Sequence, residues 1–256
     1  MAVDVAPAPA PAPASDRSAG ATGDRYKVDF HSHTGHSKDS LCPAPDLLAA
    51  AVRRGLAGLA VTDHDTVDGA LQALALVERQ PERYPGLTII PGEEVKTREG
   101  ELIALYIRET IPPRLTPEET VRRIRDLGGL VFVPHPFDRV RGSRLTAAAL
   151  ERIADSVDGI EVFNARTTLT GDNHRALTFA RTHGLLQTAG SDAHVAWEVG
   201  HAFVELDTPP ATTPEALLVQ LRRGTVVGKP SAPVAHIASS VAKLRKRFGL
   251  APRVRL

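Results

Sequence analysis

Residues 29–40 read "DFHSHTGHSKDS", with three histidines and two aspartates in twelve residues, directly after the strand-like run "YKVDF" (26–30). In an extended segment, side chains two apart point the same way, so His31 and His33 can reach one ion together. A lone His-x-His is weak evidence, because polar loops and helix caps use the same residues. Its position at the exit of a strand makes it worth following along the chain.

Other short β-branched or apolar runs end in the same manner. "LAGLAVT" is followed by Asp63, His64 and Asp65, and "LTIIPG" by Glu93 and Glu94. "GLVFVP" leads to His135, "GIEVF" to Asn164, and "LLQTAGS" to Asp192 and His194, which repeat the two-residue spacing. "LIALYI" and "HAFVEL" are further strand candidates. Between strands lie amphipathic helices with clear punctuation. "LTPEETVRRIRDLGG" offers Thr116 as N-cap, Pro117 at the first helical position, Glu119 to close a capping box and Gly128 to stop the helix. "TPEALLVQLRRG" repeats the device with Thr213, Pro214 and Gly224. Strand–helix alternation implies an α/β fold with a mostly parallel sheet, whose site lies at the strand C-termini. Six successive strand ends carrying metal-competent groups therefore predict one multinuclear metal site.

Composition bounds the function classes. The chain has 256 residues, 24% of them charged, which suits one globular domain, an α/β barrel among the options. Its net charge is +1, but the last fourteen residues, "KLRKRFGLAPRVRL", hold six cations and no acid, leaving residues 1–242 at −5. A mildly acidic body argues against a general nucleic-acid-binding face. Cys42 is the single cysteine, so no disulfide framework exists, and it reads as a small packing residue. No apolar run approaches the roughly 18 to 20 residues of a membrane span, and no secretory signal is evident, so a soluble, cytoplasmic protein is expected. Three regions are expected: an Ala/Pro-rich disordered tail over 1–24, a catalytic domain over 25–230, and a basic segment over 231–256. His183 and His236 read as solvated or helix-capping residues.

The motifs "DFHSHTGHSKDS", "GLAGLAVTDHDTVDG", "IIPGEEV", "GGLVFVPHPFDRVRGS", "GIEVFNAR" and "GSDAH" stand in the order found in the PHP (polymerase and histidinol phosphatase) family, which the chain resembles over about residues 26–205. The resemblance implies a distorted, TIM-like (βα)7 barrel with two or three divalent ions, Mn, Fe or Zn, at the strand C-termini. It implies as ligands His31, His33, Asp39, His64, Glu94, His135, Asp192 and His194, with Glu94 preferred to Glu93 because it stands two after Gly92. Two departures stand out. Asn164 replaces a histidine at one ligand position, an amide that binds transition metals poorly, with His174 as a stand-in. Glu101 stands where other members carry a histidine.

The activity expected is hydrolysis of phosphomonoesters of nucleotides or similar small metabolites by a metal-activated hydroxide. Arg139, Arg141 and Arg166 follow site-bearing strands and are candidates to bind the phosphoryl oxygens. His194 or His64 could protonate the leaving group. Competing readings are a histidinol-phosphate phosphatase, an oligonucleotide phosphodiesterase or exonuclease that uses the basic C-terminus to hold nucleic acid, and a non-catalytic metal-binding PHP module.

Overall fold

The computed structural model describes residues 25–232 and 234–249. The expected 1–24 tail, and the part of the basic segment beyond residue 249, lie outside the described residues. Among them are nine strands: β1 (Tyr26–Asp29), β2 (Leu56–Val61), β3 (Thr88–Lys96), β4 (Glu101–Leu105), β5 (Leu130–Val133), β6 (Gly159–Asn164), β7 (Leu186–Gly190), β8 (Ala202–Leu206) and β9 (Thr225–Gly228). They form one sheet in the order β7-β6-β5-β4-β3-β2-β1-β8-β9. Seven helices accompany them: α1 (Ala44–Arg53), α2 (Asp68–Arg79), α3 (Pro117–Asp126), α4 (Ala147–Ile153), α5 (Thr170–His183), α6 (Pro214–Leu221) and α7 (Val234–Arg247). No helix among the described residues is long and apolar enough to cross a membrane.

The sheet curls into a distorted, nearly closed barrel. β1, β2 and β3 run parallel, as do β5, β6 and β7. β4 lies antiparallel between the two sets because residues 97–100 connect β3 to β4 too tightly for a crossover. The seam is closed by the chain leaving β1. β8 pairs antiparallel with Tyr26–Val28, but Phe30 N–H then donates to the Ala189 carbonyl at 3.1 Å and His33 N–H to that of Ala193 at 2.8 Å. The backbone thus changes partner from β8 to the end of β7 where the first histidines stand.

Val28, Ala60, Ile90, Ile103, Phe132, Ala189 and Val204, one from each of seven strands, pack together inside the barrel with Leu217 and Leu221 of α6. α1 and α2 bury Leu47, Leu48, Ala70 and Ala73 against β2 and β3. α3, α4 and α5 cover β4–β6 with Val121, Ile124, Leu150 and Ala176. α3 begins as its sequence indicates: Thr116 accepts from Glu119 N–H, and the Glu119 side chain accepts from Thr116 N–H. β9, "TVVG", was not recognisable as a strand, being short and largely exposed.

Candidate metal centre

The exits of β1, β2, β5, β6 and β7, together with β3, meet on one face and bring every expected ligand except Asn164 into a single cluster. Glu94 is its hub. Its Oε1 lies 2.9 Å from His135 Nε2, and its Oε2 lies 3.1 Å from His64 Nδ1, 3.3 Å from His31 Nε2 and 3.4 Å from His33 Nε2. Asp192 Oδ1 faces His33 Nε2 at 3.2 Å, and Asp39 spans His194 Nε2 at 3.2 Å and His64 Nε2 at 3.4 Å. Strand alternation separates the two glutamates of β3: Glu94 turns to the cluster, while Glu93 turns away and accepts the Ile111 N–H at 3.0 Å. Asp192 and His135 both have positive φ, 52° and 31°, so these ligands leave their strands through turns rather than along an extended segment.

Among the described residues, four overlapping groups of three could each hold a metal ion: His33, His64 and His194; His31, His33 and Asp192; His31, Glu94 and His135; and His64, Glu94 and Glu101. The hydrogen bonds behind them fix how the imidazoles present themselves. His31 Nδ1 lies 3.2 Å from Glu161 Oε1, and His194 Nδ1 lies 2.8 Å from the Asp192 carbonyl, both acceptors only. Ser37 Oγ donates to Asp63 at 2.7 Å and therefore accepts from His33 Nδ1 at 3.0 Å. All three rings carry their proton on Nδ1 and turn an Nε2 lone pair inward, the orientation that outer carboxylates and carbonyls impose on metal-binding histidines. His31 Nε2 and His33 Nε2 are only 3.0 Å apart, and the buried oxygens Asp39 Oδ1, Asp192 Oδ1 and Glu101 Oε2 have no hydrogen-bond partner. Converging lone pairs and unsatisfied carboxylate oxygens are what a divalent cation resolves, so the residues fit the group.

The same carboxylates favour positive charge at this point, which a proton on an imidazole can supply in place of a cation. Burial works against charge on His31, but Asp192, Glu94 and Glu161 outweigh it and raise its pKa well above the ordinary value. His64 is likewise disfavoured by burial yet lifted to about 9 by Glu94 and Asp39. Burial depresses His33, and the neighbouring His194 adds to this. Burial pushes Asp192 up, but Arg141 and His31 hold it well below the carboxylate range. The cluster as a whole is a field that attracts positive charge.

The surrounding residues fall into three groups. Asn164 is not aimed as a ligand: its Nδ2 donates to Glu161 at 2.9 Å and Asp192 at 3.2 Å, and its Oδ1 accepts the Arg166 N–H. His174, on the exposed side of α5, does not reach the cluster. Among the arginines, Arg141 Nη2 donates to Asp192 Oδ2 at 2.6 Å, whereas Arg139 Nε is bound by Asp172 at 2.9 Å and its side chain is 57% exposed. Arg139 is paired with α5 in this way and is not among the residues that line the cleft above the cluster. Arg166 is buried, with Nη1 3.4 Å from the Asp192 carbonyl and Nη2 2.9 Å from Ser239 Oγ of α7. Cys42 is buried, its thiol pushed up to about 12 chiefly by that burial. His183, at the end of α5, stacks on Phe179.

Sequence reasoning missed several contributors. Glu161 supports His31, the His135 N–H and Asn164 at once, and Glu198 accepts the His194 N–H at 3.0 Å. Asp63, expected only as a metal-competent group, accepts from the backbone N–H and hydroxyl groups of Thr34 and Ser37 and so braces the loop that leads to Asp39. Glu101 on β4, singled out in the sequence only as standing where other members carry a histidine, comes within 3.8 Å of His64 and 3.9 Å of His135. The periodicity of "GIEVF" marks Glu161 as facing the same way as Phe163, but nothing local shows that it meets His31. Above the cluster opens a cleft of about 420 Å³, lined by Asp39, His64, Glu101, Arg141, Arg166, His194 and Lys243 among others.

Comparisons with known proteins agree with this fold. Residues 170–226 match a family described as PHP-associated. An uncharacterized protein of Methanocaldococcus jannaschii is 32% identical over 204 residues, spanning 77% of this chain and 79% of the relative. A two-domain protein of Bacteroides vulgatus containing a predicted PHP-like metal-dependent phosphoesterase superposes with a TM-score of 0.64 at 18% identity, over 80% of this chain and 65% of that one. The lesion-specific endonuclease EndoQ of Pyrococcus furiosus superposes with a TM-score of 0.51 at 15% identity, over 79% of this chain and 58% of that one.

Proposed function

This chain belongs to the PHP family, and from that premise we propose that it is a metal-dependent phosphoesterase that hydrolyses phosphomonoesters of nucleotides or comparably small metabolites. The observation that carries the reading is the inward presentation of three Nε2 lone pairs among unsatisfied carboxylate oxygens. His31, His33, Asp39, His64, Glu94, His135, Asp192 and His194 would hold two or three ions of Mn, Fe or Zn, with Glu101 joining His64 and Glu94. When bound, such ions supply Lewis acidity and a nucleophile at neutral pH.

The remaining chemistry falls to the chain. Arg141 reaches over Asp192 at the cleft wall and is placed to receive charge that develops on phosphoryl oxygens, with Arg166 behind it. Glu161, Ser37 and the Asp192 carbonyl fix the tautomers of His31, His33 and His194, and Glu198 holds the His194 backbone through its N–H. His194 and His64 both border the cleft, and whichever of them is left without an ion is the candidate to protonate the leaving oxygen. The cleft volume suits a mononucleotide-sized ligand rather than a duplex.

A second reading, cleavage of oligonucleotide diesters, is favoured by the basic C-terminal segment and by the likeness to an endonuclease fold. One experiment separates them. Protein loaded with Mn²⁺ is given a panel of phosphorylated metabolites, nucleotides and short oligonucleotides, and phosphate release and chain cleavage are both followed. Phosphate released from small monoesters supports the first reading; cleavage confined to diesters overturns it.

A further inference from the structure

α7 closes one side of the cleft and is tied down at two points. At one, Ser239 Oγ accepts from Arg166 Nη2 at 2.9 Å. At the other, the Lys246 ammonium donates to the carbonyls of Gly35 and Ser37, in the loop between His33 and Asp39. Between these ties stands Lys243, its Nζ 3.3 Å from Asp39 Oδ2, its side chain 58% exposed and lining the cleft.

The two lysines differ in kind. Lys246 spends its protons on backbone carbonyls and works as an anchor. Lys243 leans on a carboxylate that is already faced by His64 and His194, and an ion pair this open adds little to stability. A long, flexible ammonium held at the mouth of an anion-binding cleft has another use. Arg141 stands by Asp192 and Lys243 by Asp39, so the two cations attend different carboxylates of one cluster and line the same cleft. Arg245 and Arg247 of the same helix face outward.

We propose that Lys243 is a substrate-binding residue that grips the phosphate group from the α7 side of the cleft, beside Asp39, while Arg141 acts beside Asp192, and that α7 limits the site to small phosphate esters. The inference rests on the phosphoesterase reading above. It assigns part of the basic C-terminal segment to the site itself: a point charge on a mobile stem suits a phosphate that must enter and leave.

The test measures binding of inorganic phosphate, the product, to the full-length Mn²⁺-loaded protein by calorimetry, with metal content determined in parallel. Lys243→Gln is expected to weaken phosphate about tenfold or more with metal content unchanged, and Lys243→Arg to stay within about threefold of wild type. Arg245→Gln, on the outward face, should bind as wild type does. Phosphate bound equally well by Lys243→Gln, or a loss of metal in that variant, overturns the assignment. If the wild-type protein neither binds phosphate nor cleaves any ester in the panel, the phosphoesterase reading falls with it; if it does both and Lys243→Gln matches it, only the role of Lys243 falls.

Discussion

The carboxylate of Asp192 is shared between Arg141 and the histidines: Oδ2 accepts from Arg141 Nη2 at 2.6 Å, while Oδ1 faces His33 Nε2 at 3.2 Å. One buried group thereby links the proposed phosphate-binding cation to the proposed metal ligands. Its φ is positive, 52°, a left-handed conformation that aspartate adopts more readily than most residues.

Arg141→Ala should therefore lower kcat/KM on the best phosphate ester by about 30- to 1000-fold, corresponding to roughly 2–4 kcal/mol of lost transition-state stabilisation. Arg139→Ala should stay within about twofold, since its guanidinium is engaged by Asp172. Steady-state kinetics of both variants checks this, and equal losses would show that the loop around residues 139–141 acts as a unit.

Metal content should depend most on Glu94, which touches four histidines and stands in two of the candidate groups where His135 stands in one. Glu94→Ala is expected to remove at least one more equivalent of bound divalent metal than His135→Ala. Elemental analysis after exhaustive dialysis reads the difference. Equal stoichiometry in the two variants would place the ions elsewhere.

Much of this site could be read from strand exits. The "HSH", "DHD", "EE", "PHP" and "SDAH" strings each follow an apolar run, and a parallel sheet gathers such exits on one face whatever the details of the loops. What could not be read depends on contacts distant in sequence. Arg139 and Arg141 are indistinguishable in "DRVRGS", and only the arrival of Asp172 from α5 decides which enters the cleft. Asn164 looks like a weakened ligand until Glu161 and Asp192 are seen to take its amide protons. Lys243 and Lys246 look like part of a charged tail, because nothing near them in sequence announces Asp39 or Gly35. The antiparallel placement of β4 was hidden for a different reason: strand periodicity carries no direction.

Gly190→Ala should damage the site without adding any polar group. A Cβ there would lie 2.2 Å from His31 Cβ and 2.5 Å from Glu161 Oε1, against the very pair that fixes the His31 ring. Overpacking of this kind costs about 1–3 kcal/mol, a fall of several degrees in melting temperature, with loss of bound metal. Gly171→Ala, where a Cβ meets nothing within 4 Å, serves as the control and should leave both unchanged or slightly raised. Thermal melts and metal analysis on the two variants provide the check.

Stability should also carry the signature of Glu93. Burial pushes its carboxyl up to about 8 from an ordinary 4.5, with Asp65 and Asp68 adding to the effect. Between those values the folded chain holds a proton that the unfolded chain has released. The stability this contributes is complete below about pH 4.5 and is lost as pH rises to about 8, at up to about 1.4 kcal/mol per pH unit. Glu93→Gln keeps an acceptor for the Ile111 N–H and removes the titration, so its unfolding free energy should fall less than that of wild type between pH 5 and 8. Urea midpoints across that range decide it; parallel slopes would place the titration on another group.

β1 is sealed by β2 on one edge and on the other by β8 and the end of β7, which the chain reaches only in its last third. During synthesis this first strand must wait with one edge unpaired, presenting Tyr26, Val28 and Phe30 and a row of free backbone groups to any neighbouring chain. The closure that gathers the histidines thus sets a kinetic hazard: slow long-range pairing, and aggregation of any fragment that stops short of β8.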